Sequence, residues 1–391
     1  MPNSQKICII GSGLTALTIA YLLSKFRLQI DIVEQDLNKK KIKPTKLALS
    51  KHSLDQLCFY GLKDIKKKSN IVKHIYLHDS YSSISLKQDL HFSVSNKNEA
   101  LAYIIDGNTL FSDIIKRLKS SKNINIIKKE ISSINDNKFF KEIIFKDLKK
   151  ENYNLIIFAS VHNLLFLSKF KLRKVADKSY NEHAYVFNLH HKKIINNSAR
   201  QFFLKDGPLA FLPVSSTETS VIWSIKNNSM NRKYVASKKC LSEFFDTHFK
   251  ELFNEITSIS ELNKFNLNYT FNELKDSKRT LLFGEIANKI HPIAGQGWNM
   301  TLRDIFSLIK VIKYSENLGI EIGNDIFIKK YLEETNLNNY TFATLIDGIR
   351  KVFDIKLDSY ATIRKNALSH LDKNLFLKKN FINIANKGLF I

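Results

Sequence analysis

The most constraining feature of the chain is its first 34 residues. Lys6–Ile10 is a short apolar run, Gly11-Ser12-Gly13 interrupts it, and Leu14–Phe26 then carries apolar residues at helical spacing through Leu17, Ala20, Tyr21 and Leu23. Leu28–Glu34 follows with strand-like alternation and stops at an acid. A strand, a tight turn, a helix and a second strand within about 30 residues make a βαβ unit. Gly11 suits a sharp turn out of the strand, and Gly13 lets backbone approach a pyrophosphate closely. Small Ala16 and Ala20 allow helix and strand to pack, with Leu14 and Thr15 opening the helix. Glu34, 21 residues after Gly13, is placed to accept hydrogen bonds from a ribose. A dinucleotide is therefore expected on Gly11, Gly13, Leu14, Thr15, Ala16 and Glu34. Ile7–Phe26 carries a single charge, Lys25, and is long enough to resemble a membrane span, but its glycines and the strand that follows favour a buried strand, turn and helix.

The second informative stretch is Gly284-Glu285 followed by His291-Pro292-Ile293-Ala294-Gly295-Gln296-Gly297-Trp298-Asn299. The apolar run Thr280–Gly284 reads as a buried strand and Trp298–Tyr314 as an amphipathic helix. A Gly-x-Gly loop between them lets a flat ring lie against bare backbone, and the helix start offers free N–H groups and partial positive charge. Glu285, Pro292, Gly295, Gln296, Gly297 and Asn299 are the expected cofactor contacts here. His291 is a weak candidate for acid–base work, because a His-Pro pair in a turn has backbone reasons enough.

This stretch, HPIAGQGWNMTLRD, resembles the FAD-contacting segment of aromatic-ring monooxygenases of the ubiquinone-biosynthesis hydroxylase family, whose run reads close to GDAAHxxHPxAGQGxNxGxxD. His291, Pro292, Ala294, Gly295, Gln296, Gly297, Asn299, Leu302, Arg303 and Asp304 match it. Leu47–Ser50, Tyr103–Ile105, Gly207-Pro208 and Asp347-Gly348 add support along the chain. The resemblance implies a p-hydroxybenzoate-hydroxylase-like fold: a Rossmann-type α/β FAD-binding domain, an interleaved antiparallel β substrate domain and C-terminal helices. It also implies hydroxylation of a polyprenylated phenol through a flavin C4a-hydroperoxide, with NAD(P)H as reductant and O2 as oxygen source. A ubiquinone-biosynthesis complex and the membrane surface are the implied partners. The chain departs from the family at Thr45 and Asn108, where arginines are usual, at Glu285 for Asp, at Asn288 for His, and at Ser160-Val161 for Asp-Gly. Two other readings stay open beside it, a catalytically degenerate scaffold of the quinone-synthesis complex and a flavin-dependent reductase of isoprenoid or lipid double bonds.

Residues 1–70, 100–175 and 276–325 are assigned to the FAD-binding domain, 71–99 and 176–275 to the substrate domain, and 326–391 to the helical region. Residues 47–62 read as helical, and the aromatic-rich segments Ala184–His190, Gln201–Leu204, Pro208–Pro213 and Ser220–Ile225 read as strands. Phe211, Pro213 and Trp223 are the expected pocket residues.

The net charge of +24 favours anionic partners, yet its lysines are scattered and no nucleic-acid-binding signature accompanies them, so nucleic acid is not expected. Basic residues Lys373, Lys378 and Lys379 beside Leu375, Phe376, Leu377 and Phe381 suit an anionic leaflet. Cys8, Cys58 and Cys240 are odd in number and far apart, which argues against a disulfide framework and a metal site, and fits a cytoplasmic protein touching the inner membrane face.

Overall fold

A computed structural model describes residues 5–34, 46–81, 83–94, 96, 99–160, 172–274, 278–355 and 358–388. The chain opens with β1 (Gln5–Ile10), α1 (Leu14–Leu23) and β2 (Leu28–Val33), as the periodicity predicts. β3 (Lys46–Ser50), α2 (Lys51–Phe59), β4 (Asn70–Val72), β5 (His74–Ser80), β6 (Leu90–Ser93), β7 (Ala102–Asp106), α3 (Gly107–Leu118) and β8 (Ile124–Ile127) follow. The helix expected from residue 47 thus begins four residues later. Lys46–Ser50 pairs instead with β7, and the Ser50 side chain caps α2 by accepting from the Ser53 N–H. A meander of β9 (Ile131–Asp136), β10 (Lys141–Phe145) and β11 (Lys150–Tyr153) leads into β12 (Leu155–Phe158).

The middle of the chain is β13 (Leu172–His191), β14 (Ser198–Leu204), β15 (Gly207–Ser215), β16 (Glu218–Lys226), α4 (Lys238–Phe253), β17 (Ile256–Ile259) and β18 (Asn263–Leu274). β19 (Thr280–Leu282) then precedes α5 (Gln296–Leu318), α6 (Asp325–Asp354), α7 (Asp358–Lys373) and α8 (Leu375–Lys387).

Two sheets organise these elements. The first is parallel, in the order β19-β12-β1-β2-β8, with near-continuous apolar strands because helices and the meander cover both faces. The second runs β18-β13-β16-β15-β14-β5-β6 and is antiparallel except where β14 meets β5. One face of it carries Tyr185, Phe187, Phe202, Phe211, Val221 and Trp223, which pack on Phe244, Phe245, Phe249 and Phe253 of α4. The opposite face looks towards α5: Phe203 packs with Ile293, Met300 of α5 and Phe342 of α6.

Candidate functional site

Register places the carboxyl ends of four parallel strands side by side. Ile10 pairs with Val33 and with Phe158, and Phe158 pairs with Leu282. The crevice beyond such an edge is where open α/β sheets bind ligands. The turn after β1 is locked into it, with the Gly11 N–H donating to the Val33 carbonyl at 3.0 Å. Gly11 has φ of +136°, and a β-carbon there would lie 3.1 Å from the Ser160 β-carbon, so only glycine fits between the two strand ends. Ser12 Oγ donates to Glu34 Oε1 at 3.1 Å, which brings the acid at the end of β2 onto the turn. Ala16 is fully buried against the sheet, and Leu14 lies at the edge of the same core.

The second glycine loop reaches the same region. A β-carbon on Gly284 would come 3.0 Å from Thr15 Oγ1, and one on Gly295 would come 2.9 Å from the Ala48 β-carbon of β3. Gly295 adopts a left-handed conformation with φ of +61° and begins α5. Asn299 braces this arrangement. Its Nδ2 donates to the Ala48 carbonyl and its Oδ1 accepts from the Ser50 N–H, both at 2.8 Å. Its amide is thus spent on protein contacts that hold the loop to β3. Gln296 is buried with Oε1 unpartnered among the described residues, Pro292 is half-buried, and Glu285 is exposed with Lys289 at 4.0 Å.

Two helix starts meet this region without a side-chain cap, α1 at Gly13 and α5 at Gly295. Their first-turn N–H groups remain available to an anionic or carbonyl-bearing ligand. Among the described residues, a β-carbon on Gly13 or Gly297 would meet nothing within 4 Å. Open space beside glycine, free donors and a nearby carboxylate fit a dinucleotide whose two ends rest on different loops.

The pocket expectation needs correction. Phe211 and Trp223 are 2% and 0% exposed, enclosed by Phe202, Phe245 and Phe249 in one case and stacked on Phe244 in the other. Strand alternation puts them, and Pro213 with them, on the face covered by α4. The face towards the glycine loop carries residues of the other parity. Across β15, β16 and β13, Ala210 pairs with Ile222 and Ile222 with Val186, while Leu212, Ser220 and Asn188 form the next row. Val186, Asn188, Ala210, Leu212 and Ile222 are half-buried, less enclosed than the aromatic residues of the α4 face. The clue in the sequence is the Phe-rich α4, which needs the larger aromatics of the sheet as its partners.

His291 is completely buried, and its Nε2 lies 3.1 Å from Glu182 Oε2. Burial draws the imidazole below its ordinary range despite the opposing pull of Glu182, so it is neutral at pH 7. Asp304 accepts a 2.7 Å hydrogen bond from Asn339 of α6, and the Arg303 guanidinium lies 4.5 Å from the centre of the Phe342 ring. Both matched residues thus join α5 to α6. Of the departures, Ser160 stands beside Gly11, and the Asn108 N–H donates to Asp106 in the cap of α3. Thr45 and Val161 lie outside the described residues. Among the described residues no cluster of His, Cys, Asp and Glu could hold a metal ion.

Known proteins resemble the chain in sequence and in fold. The ubiquinone biosynthesis monooxygenase COQ6 of Dictyostelium discoideum is 22% identical over 99% of this chain and 92% of its own length. Ubiquinone hydroxylase UbiL of Rhodospirillum rubrum is 21% identical over 53% of this chain, which spans about half (48%) of that relative. Among solved structures, p-nitrophenol 4-monooxygenase PnpA of Pseudomonas putida superposes with a TM-score of 0.78 at 12% identity, covering 99% of both chains. Klebsiella pneumoniae HpxO, solved with FAD and uric acid, gives 0.70 at 13% identity, over 99% of this chain and 98% of its own. The family model described as squalene epoxidase matches residues 167–384, more than half of the sequence. On that match, and with the fold of flavin-dependent monooxygenases around the site, the chain belongs to the squalene epoxidase family.

Proposed function

We propose that this protein is an FAD-dependent monooxygenase that hydroxylates the aromatic ring of a polyprenylated phenol in ubiquinone biosynthesis, with NAD(P)H as reductant and O2 as oxygen source. One observation carries the reading. Two uncapped, glycine-lined helix starts meet at the carboxyl edge of one parallel sheet, opposite the half-buried apolar face of a second sheet. The names of the COQ6 and UbiL relatives support the substrate class. On this reading residues 11–16 hold the pyrophosphate, Glu34 the ribose, and Glu285, Pro292, Gly295, Gln296 and Gly297 the flavin half. Residues 1–70, 100–175 and 276–325 then form the cofactor-binding part, 71–99 and 176–275 the substrate part, and 326–391 the helical region. Bound there, FAD supplies oxygen-activating chemistry that no amino-acid side chain provides.

The chain's own residues supply placement and dryness. Val186, Ala210, Leu212 and Ile222 give an apolar wall on which an aromatic ring can lie, and a ring seated there would displace water from that face. Asn188 and Ser220 add polar groups at one end, where Asn188 Nδ2 donates to Glu218 at 2.7 Å. A hydroxyl on the ring would find its hydrogen-bond partners there.

The purified protein is expected to be yellow, to bleach with NAD(P)H in the absence of air, and to consume O2 faster when a prenylphenol is added. A colourless protein that takes up no added FAD would favour the scaffold, consistent with Ser160 in place of the family's acid. Bleaching without substrate-dependent O2 consumption would favour the reductase.

A prenylated substrate resides in a bilayer, so the enzyme must reach the membrane surface. Among the described residues no helix is long and apolar enough to cross one. α8 instead exposes Leu375 (79%), Phe376 (72%) and Phe381 (40%) beside Lys373 and Lys379. This is the composition of a surface that inserts apolar side chains under anionic headgroups. Replacing Leu375 and Phe376 by Glu should abolish sedimentation with anionic liposomes while leaving flavin content unchanged. Sedimentation equal to that of the unaltered protein would remove α8 as the contact.

A further inference from the structure

His291 is a polar side chain in the glycine loop that the monooxygenase reading leaves without a task. Its ring is walled by Tyr180, edge-on at 5.1 Å, and by Glu182. Glu182 sits where the β13 register slips between Ser179 and Glu182, and its second oxygen accepts a hydrogen bond from Arg350 of α6. The same guanidinium covers the Tyr180 ring at 4.5 Å and reaches Asp354 at 3.1 Å, and Lys226 neutralises Asp354. Two carboxylates and two cations therefore balance around a neutral imidazole. Burial works to raise the Glu182 carboxyl, yet the hydrogen bonds from His291 and Arg350 outweigh it and keep the group ionised. A neutral imidazole facing a carboxylate must direct its proton at it, so Nε2 donates and Nδ1 keeps its lone pair. Nδ1 is buried and has no partner among the described residues.

Hydrogen bonds to an ionised carboxylate are roughly twice as strong as neutral ones. Such a bond fixes the ring, and the ring belongs to the residue that starts the turn into Pro292 and the left-handed Gly295. We propose that Glu182, anchored by Arg350, is a positioning residue for the glycine loop: it holds His291 in the Nε2–H form, and thereby sets the loop backbone from Pro292 to Gly297 and the direction of the free Nδ1 acceptor. Ligand N–H or O–H groups are the donors that such an acceptor takes. This inference rests on the FAD reading only for its ligand, because the state of His291 can be observed without cofactor.

Protein labelled with 15N in histidine, compared with a His291→Gln variant to identify the signal, should show His291 as an Nε2–H tautomer at pH 8. In Glu182→Ala the signal should become a tautomer mixture, and the affinity for added FAD should fall about tenfold. That fall should disappear in a His291→Phe background, since Glu182 acts through the ring. Glu182→Gln, which can still accept from Nε2–H, should recover part of both effects and serves if the Ala variant does not fold. An unchanged His291 signal in folded Glu182→Ala overturns the proposal. So do losses of FAD affinity that simply add in the double variant, since they mark a contribution to stability alone. If the unaltered protein binds no FAD, the monooxygenase reading fails, while the tautomer measurement still decides for or against Glu182.

Discussion

Gly13→Val is expected to give a folded protein that no longer retains FAD. Gly13 has φ of −76° and ψ of 177°, an extended conformation that valine adopts without strain. A β-carbon there meets no atom of the described residues within 4 Å, which leaves room for the new side chain. On the proposed reading that room is the approach path of the pyrophosphate to the first turn of α1, and the two methyl groups would fill it. A loss of about a hundredfold or more in FAD affinity corresponds to roughly 2.7 kcal/mol. Flavin fluorescence titration, with circular dichroism as a check on folding, measures it. Full flavin occupancy in the variant would move the cofactor elsewhere. Gly11 would make a poorer test. Its positive φ and the 3.1 Å approach to Ser160 mean that a side chain there strains the protein itself.

The second large effect separates the two faces of the antiparallel sheet. Trp223→Ala should cost about 3–5 kcal/mol of stability, because the indole is fully enclosed and its removal leaves a cavity against Phe244 and Phe245. Leu212→Phe, on the opposite face, should change stability by about 1 kcal/mol or less and raise KM by narrowing the apolar wall. Urea unfolding of both variants, with substrate titrations, gives the comparison. A Trp223 variant of unaltered stability that binds substrate poorly would reverse the assignment of the faces.

How much of this was legible in the sequence follows from how local each signal is. β1, α1 and β2 are specified by glycine punctuation and apolar period within about 30 residues, and they form almost where expected. The glycine loop was legible for the same reason. Lys46–Ser50 was not, because Leu-Ala-Leu suits a helix as well as a strand. What decides is β7, more than 50 residues later, whose backbone is its partner. β18 was missed as well, although NKFNLNYTFNEL alternates apolar and polar residues as a half-buried strand does; its asparagines have low strand propensity, and the long pairing with β13 supplies what propensity does not. Alternation tells which of Phe211, Leu212, Ile222 and Trp223 share a face, but not which face a helix will cover. The Glu182–His291–Arg350 group brings together residues 109 and 168 positions apart, a juxtaposition that no spacing rule contains.

Ser50 closes the brace described above from a second side. Its Oγ donates to the Asn386 carbonyl at 3.0 Å, and Asn386 Oδ1 accepts from the His52 N–H at 2.8 Å. Positions 336 residues apart thus meet on the turn that also holds the α5 glycine loop. During synthesis, that turn stays incomplete until α8 has cleared the ribosome. Nascent chains should therefore acquire flavin only after α8 has been made, and an interrupted translation product lacking α8 would be a poor flavin acceptor with its upstream strands already paired.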